Sequence, residues 1–175
     1  MTALAVAEPV ADAAPRQLRF ALGAYPTGVT IVTAHALDGR PVGLTVNSFA
    51  SLSLEPPLLL WSLATRSPNL RAFRTASHFA INVLACGQAE LARRFATPTV
   101  TDKFAGVVLQ HTAQPGAGLA PLIDGTVAHF VCASRDAIEA GDHTLFIGRI
   151  EHHHLQPAAT PLVFHGGNFV GLAQP

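Results

Sequence analysis

The sequence predicts a mostly β chain with a few short helices, folded as a Greek-key-like antiparallel barrel that is closed or nearly so. Three observations carry this. Many short apolar segments, several of them β-branched and alternating, are joined by hairpin turn signals. The helical segments between them are short. The regular alternation of strand and helix that a doubly wound parallel sheet needs is missing, and so is any internal repeat.

Taken in order, residues 1–14 are rich in Ala, Val and Pro, lack apolar periodicity and read as a loose arm, leaving residues 15–175 as one domain with one core. From Pro15 the spacing Leu18, Leu22, Tyr25 suits a short amphipathic helix that Pro26, Thr27 and Gly28 end. Residues 29–36 (VTIVTAHA) form a first strand, Asp38-Gly39 turns the chain, and residues 41–49 (PVGLTVNSF) form a second. Pro56-Pro57 opens an apolar strand at 58–64 (LLLWSLA) that reads as buried on both faces. Ser67 and Pro68 supply an N-cap and a first-turn proline for the helix NLRAFRTA. A strand at 79–85, a helix at 88–96, a loop at 97–101, a strand at 107–113 and a loop at 115–121 follow. The last third is all strand: 126–139, a turn at 140–142, 143–155, then 162–165 and 169–172 around Gly166-Gly167-Asn168.

Composition narrows the function classes. Apolar residues make up 49%, charged residues 13%, and mean hydropathy is +0.34, more apolar material than a soluble monomer of this length needs. A homodimer interface would absorb the excess. Eleven basic residues balance eleven acidic ones, with no basic run, which excludes an electrostatic footprint for nucleic acid or an anionic membrane. Cys86 and Cys132 read as two buried thiols in a reducing compartment. Glu8 and Asp12 interrupt what a signal peptide would keep apolar, and no segment reaches the length of a membrane helix, so a cytoplasmic protein is expected.

Motif tests are mostly negative. Gly116 and Gly118 are followed by Pro121 where a dinucleotide fingerprint opens a helix, and Walker A, GxSxG, HExxH and CxxC patterns are absent. His152 and His154 share one face of a strand, yet zinc needs three or four ligands and no third is identifiable unless His165 joins them; a polar strand end, with no metal, is the expectation. Residues 43–63 place Thr45, Asn47, Ser48, Ser51 and Ser53 beside a buried strand. Their hydroxyls and turn amides could cradle a phosphate and the polar edge of a flat ring, or simply cap their own backbone in a bulge.

The segments YPTGVTIVTA (25–34), DGRPVGLTVNSFASLSLEPPLLLWSL (38–63), SPNLRAFRTASHFAINVLA (67–85), ELARRFA (90–96), DKFAG (102–106), GDHTLFIGRI (141–150) and PLVFHGGNFVGL (161–172) stand in one order. Together they resemble the flavin reductase family with the FMN-binding split β-barrel fold, the small partners of two-component flavin-dependent monooxygenases. The resemblance runs from about Arg19 to Leu172. It implies hydride transfer from NADH or NADPH to FMN or FAD, with reduced flavin passed to a separate oxygenase. A flavin- or haem-binding carrier or sensor of the same fold is the alternative. It implies Pro26, Thr27 and Gly28 beside the isoalloxazine, and Thr45, Val46, Asn47, Ser48, Ser51, Leu52 and Ser53 at its polar edge and ribityl phosphate. Ser62, Thr65 and Ser67 would complete the phosphate site at the start of the Pro68 helix. Asn82, Lys103 and Phe104 are implied as further flavin contacts. His143, the implied catalytic residue, would sit over the flavin and meet the nicotinamide, with Phe169 flanking the same opening. The run His165-Gly166-Gly167-Asn168 replaces the aromatic and arginine of many relatives, which leaves NADH against NADPH open.

Overall fold

A computed structural model describes residues 15–110 and 118–172; the expected arm at 1–14 lies outside the described residues. Among the described residues, ten strands and three α-helices follow one another as α1 (Pro15–Gly23), β1 (Thr27–Gly28), β2 (Thr30–His35), β3 (Pro41–Val46), β4 (Ala50–Leu54), β5 (Pro57–Ala64), α2 (Leu70–Thr75), β6 (His78–Val83), α3 (Ala89–Ala96), β7 (Ala128–Ala140), β8 (His143–Leu155), β9 (Val163–His165) and β10 (Asn168–Val170). Seven strands form one antiparallel sheet in the order β3-β2-β6-β7-β8-β5-β4, and β1-β9-β10 form a small second sheet.

The strand order dictates the shape. β3 and β4 are the two ends of the large sheet, yet only residues 47–49 separate them in the chain. The sheet therefore curls until its ends meet, leaving a seam without a ladder between β3 and β4. Ser48 latches the seam: its hydroxyl donates to the Ser62 carbonyl at 3.2 Å and accepts from the Ser62 amide at 3.0 Å.

The curled sheet encloses Val32, Leu59, Trp61, Phe79, Ile81 and Phe146, with Phe73 of α2 packed on them. Trp61 stacks on Phe146 at 4.7 Å and meets Phe73 edge-on at 4.9 Å. Burying each such ring contributes about 1.5–3 kcal/mol. Gly148 makes this packing possible, because a Cβ there would lie 2.5 Å from the Phe79 ring. A second cluster packs Ala92 and Phe95 of α3 on Val29, Ile31, Leu84 and Ile123, and a third covers Ala80 and Val131 with Ala120 and Leu122.

Several elements differ from the sequence expectation. Where the sequence left a hydroxyl-rich turn or a bulge open, β4 is an edge strand whose alternation is broken by a bulge between Ser51 and Ser53. α1 ends at Gly23, before Pro26, and Thr27 and Gly28 form β1 and pair with β9. Ser67-Pro68 forms a turn, closed by the Leu70 amide on the Ser67 carbonyl at 3.1 Å, so α2 starts later, with Asn69 at its N-cap position. Of the strand expected at 107–113, Leu109 makes only an isolated bridge to Ile123, and 111–113 lie outside the described residues. Cys132 is buried as expected, whereas Cys86 is exposed. No helix among the described residues is long and apolar enough to cross a membrane.

Candidate functional site

β3, the Ser67–Asn69 turn and the chain following α3 enclose a cavity of about 840 Å³. Its lining includes Arg40 to Thr45 along β3, Phe95 and Ala96 at the end of α3, and the loop 100–105. Gly43 allows the close approach that forms it. A Cβ at that position would come within 2.9 Å of the Phe95 ring and 3.2 Å of the Phe104 ring, which themselves pack edge-on at 4.9 Å.

The loop wall is held firmly. The Arg94 guanidinium donates to the carbonyls of Asp102 and Ala105 at 3.1 and 2.7 Å, and the Asp102 carboxylate accepts from the amides of Phe104 and Ala105 at 3.0 Å each. Lys103 donates to the Phe95 carbonyl at 2.7 Å. Burial lowers the Lys103 pKa from the ordinary lysine value. Among the described residues no carboxylate pairs with it, so an ammonium with three donors carries one protein hydrogen bond. An anion on that cation is the natural complement. Thr45 donates to the Ala92 carbonyl at 2.7 Å, tying β3 to α3 and leaving its lone pairs available.

Next to Ser67 along the chain, the ends of β5 and β8 build a rim. The amide and hydroxyl of Thr65 both donate to the Asp142 carbonyl, at 2.9 and 3.1 Å. His143, paired with Ala64, places Nδ1 2.6 Å from the Asp142 carboxylate. The hydrogen bond and charge of His143, with a smaller contribution from Arg66, hold the Asp142 carboxyl below its usual range. An ionised carboxylate only accepts, so Nδ1 is the donor to Asp142, and Nε2 has no hydrogen-bond partner among the described residues.

Of the sequence-predicted residues, Thr45, Ser67, Lys103 and Phe104 meet in the cavity, and Thr65 and His143 adjoin it through Ser67. Pro26, Thr27, Gly28 and Phe169 gather elsewhere, around the small sheet. There Phe169 packs on Phe164 at 5.6 Å under the Arg93 guanidinium, 5.2 Å from its ring. The Thr27 hydroxyl is buried without a hydrogen-bond partner among the described residues. Asn47 is exposed at the seam, Val46 gives its carbonyl to Thr30, and Ser48 and Ser62 bond to each other across the seam. Ser51, Leu52 and Ser53 lie on the β4 edge away from the cavity lining.

Asn82, also expected at the flavin, lies in the interior and not in the cavity lining. It is 0% exposed, its amide nitrogen donates to the Ile31 carbonyl and the Thr33 hydroxyl at 3.0 Å each, and its oxygen accepts from the Ile123 amide at 2.9 Å. Every polar atom is spent holding the covering segment onto β2. Sequence reasoning missed Arg40, Arg94 and Asp142. Arg40 sits in a turn sequence, and nothing in the order of residues signals that the turn borders a cavity. His129 is buried against the His154 ring at 5.4 Å, and among the described residues no cluster of three His, Cys, Asp or Glu side chains could hold a metal ion.

The profile of the family described as flavin reductase like domain matches residues 22–173. The chain belongs to the flavin reductase family. It is 45% identical over 157 residues to an FMN reductase (NADH) of Agrobacterium fabrum, covering 88% of this chain and 84% of that protein. It is 47% identical over 137 residues to the reductase component of the flavin-dependent trigonelline monooxygenase of Acinetobacter baylyi, which covers 78% of this chain and 43% of the relative. The chain thus spans less than half of that relative's length. Among solved structures, the NADH:FAD oxidoreductase of Streptomyces globisporus, in complex with NAD and FAD fragments, superimposes with a TM-score of 0.85 at 37% identity over 97% of this chain and 98% of that one. The mostly β split barrel of this flavin reductase family member is the fold of those neighbours.

Proposed function

We propose that this chain is an NAD(P)H:flavin oxidoreductase that passes a hydride from NAD(P)H to FMN or FAD and supplies the reduced flavin to a separate monooxygenase. The single observation that carries this reading is the cavity whose wall holds the Lys103 ammonium, which among the described residues has no carboxylate partner and so suits an anion. The residues fit a flavin. Phe104 and Pro68 give an apolar wall for a flat ring, Thr45 and Ser67 give hydroxyls, and Lys103 suits a phosphate. The bound flavin supplies the two-electron acceptor. The chain's own work is placement.

Lys103 fixes the phosphate and Thr45 orients the polar end of the ring. Asp142 locks His143 so that Nε2 points at an incoming nicotinamide. Relatives named for NADH support NADH as the donor, and a relative named as a monooxygenase reductase component supports an oxygenase partner. A homodimer accounts for Phe20, 84% exposed, and for Leu22 and Tyr25, left uncovered around α1. Two free thiols and the absence of a membrane-length helix among the described residues support a cytoplasmic enzyme.

The test is NADH oxidation by the purified chain with and without added FMN, FAD or riboflavin. Turnover that depends on flavin is expected. No turnover with any flavin, or turnover dependent on a metal, overturns the reading, and a monomer by light scattering at micromolar concentration removes the dimer.

A further inference from the structure

The chain that leaves β5 grips the β7–β8 hairpin twice. At its start the amide and hydroxyl of Thr65 hold the Asp142 carbonyl, and further on Arg74, in the last turn of α2, carries a guanidinium to the same hairpin. One nitrogen of that guanidinium donates to the Glu139 carboxylate at 2.6 Å and to the Thr144 hydroxyl at 3.3 Å. Glu139 of β7 and Thr144 of β8 face each other in the ladder, one pair away from Ala140 and His143. Arg74 therefore bridges both strands on the rung next to the histidine.

The hairpin end has little else to hold it. β6 pairs with β7 only as far as Ala133, so residues 135–140 have β8 as their one strand neighbour, and all of them are exposed. A bulge between Ser134 and Asp136 interrupts the ladder just where β6 stops. Among the described residues, Arg74 is the one group from outside the hairpin that hydrogen-bonds to residues 135–141. Its base is firm, since the adjoining Phe73 is buried against Trp61 and Phe146 in the core. Glu139 is 72% exposed, so the ion pair by itself contributes little; what the contact supplies is geometry, with the buried Thr144 hydroxyl as its inner point.

We propose that Arg74 is a positioning residue for hydride transfer, anchoring the β7–β8 hairpin to α2 so that His143 is presented to the nicotinamide at a fixed place. The inference rests on the reading that His143 meets the nicotinamide. Without the anchor, the hairpin end keeps its tie from Thr65 to Asp142 and loses the one on the β7 side, leaving it to swing about Asp142. A displacement on the order of 1 Å at a positioning group is enough to slow a reaction. Arg74 lies outside the cavity lining, so flavin binding does not depend on it.

The experiment measures NADH oxidation at saturating FMN, and FMN affinity by fluorescence titration. It uses wild type, Arg74→Ala, Arg74→Lys, Glu139→Ala, His143→Ala and the double variant Arg74→Ala/His143→Ala. Arg74→Ala is expected to raise the NADH KM about fivefold, with kcat and FMN affinity changed by less than about twofold, and Arg74→Lys to recover part of the loss. Glu139→Ala removes the same tie from the exposed side and is expected to raise the KM about twofold, which keeps the test in place should Arg74→Ala not fold. The double variant decides: an anchor that acts through His143 adds no further loss to His143→Ala, whereas an Arg74 that only stabilises the fold adds its own in full. Additive losses, or a fall in FMN affinity equal to the rise in KM, overturn the proposal. If His143→Ala changes the NADH kinetics and neither Arg74→Ala nor Glu139→Ala does, the proposal alone fails. If His143→Ala leaves them unchanged, the reading of His143 fails and takes the proposal with it, so the two failures are distinguishable.

Discussion

The loop at 102–105 lines the candidate cavity and the hairpin end at 142–143 is tied to Thr65, two residues from Ser67 of that lining, yet the two are built differently. The loop is clamped from outside and within: Arg94 takes two of its carbonyls, Asp102 takes two of its amides, and Lys103 anchors it to α3. His143 opens β8 just after the turn, its side chain 46% exposed and steered by one carboxylate. A clamped wall suits a ligand that must be held in register. An exposed, singly steered imidazole suits one that arrives, reacts and leaves. The wall and the rim are therefore expected to fail in different kinetic parameters.

The largest expected effect breaks the rim. His143→Ala should lower kcat/KM for NADH by about 10- to 100-fold, the scale of a lost positioning group, with flavin affinity little changed. Steady-state kinetics beside a flavin titration checks both halves; unchanged NADH kinetics would return His143 to an ordinary turn residue.

Breaking the wall should read out the other way. Arg94→Ala frees two loop carbonyls and is expected to weaken flavin binding by about tenfold, with a smaller effect on the NADH KM. Equal loss of both would show that wall and rim are one unit.

The sharpest and smallest test is pH. Because burial lowers the Lys103 pKa, its ammonium deprotonates at lower pH than an ordinary lysine, and phosphate binding weakens as pH rises through that lowered value. FMN affinity should therefore fall at alkaline pH while riboflavin, which lacks the phosphate, stays level, and Lys103→Met should abolish the difference. A parallel fall for riboflavin would remove Lys103 from the phosphate.

The same contrast explains what the sequence could convey. The barrel was legible because β-branched alternation and turn pairs such as Asp38-Gly39 are local signals, and β2, β3, β5, β7 and β8 fall where those signals put them to within a few residues. β4 was not, since an edge strand with a bulge has neither clean alternation nor a buried face. At the site, Thr45, Ser67, Lys103 and Phe104 came from ordered motifs and do meet. The surroundings of Asn82 were invisible in one dimension: its partners Ile31, Thr33 and Ile123 come from distant segments that only the fold brings around it. Arg40 and Arg94 were missed because a turn cation and a helix cation look like solvated charge until a loop is laid beside them.

The seam between β3 and β4 reaches beyond this chain's own stability. All six ladders of the large sheet are made without it. Register is fixed by those ladders, and a one-residue slip in any of them would turn a whole strand inside out. A residue gained or lost at 47–49 alters none of them. Barrel girth can thus drift in evolution at one latch, Ser48 on Ser62, while every core side chain keeps its face. A scaffold with such a hem can be let out at one place while its packed interior is left alone.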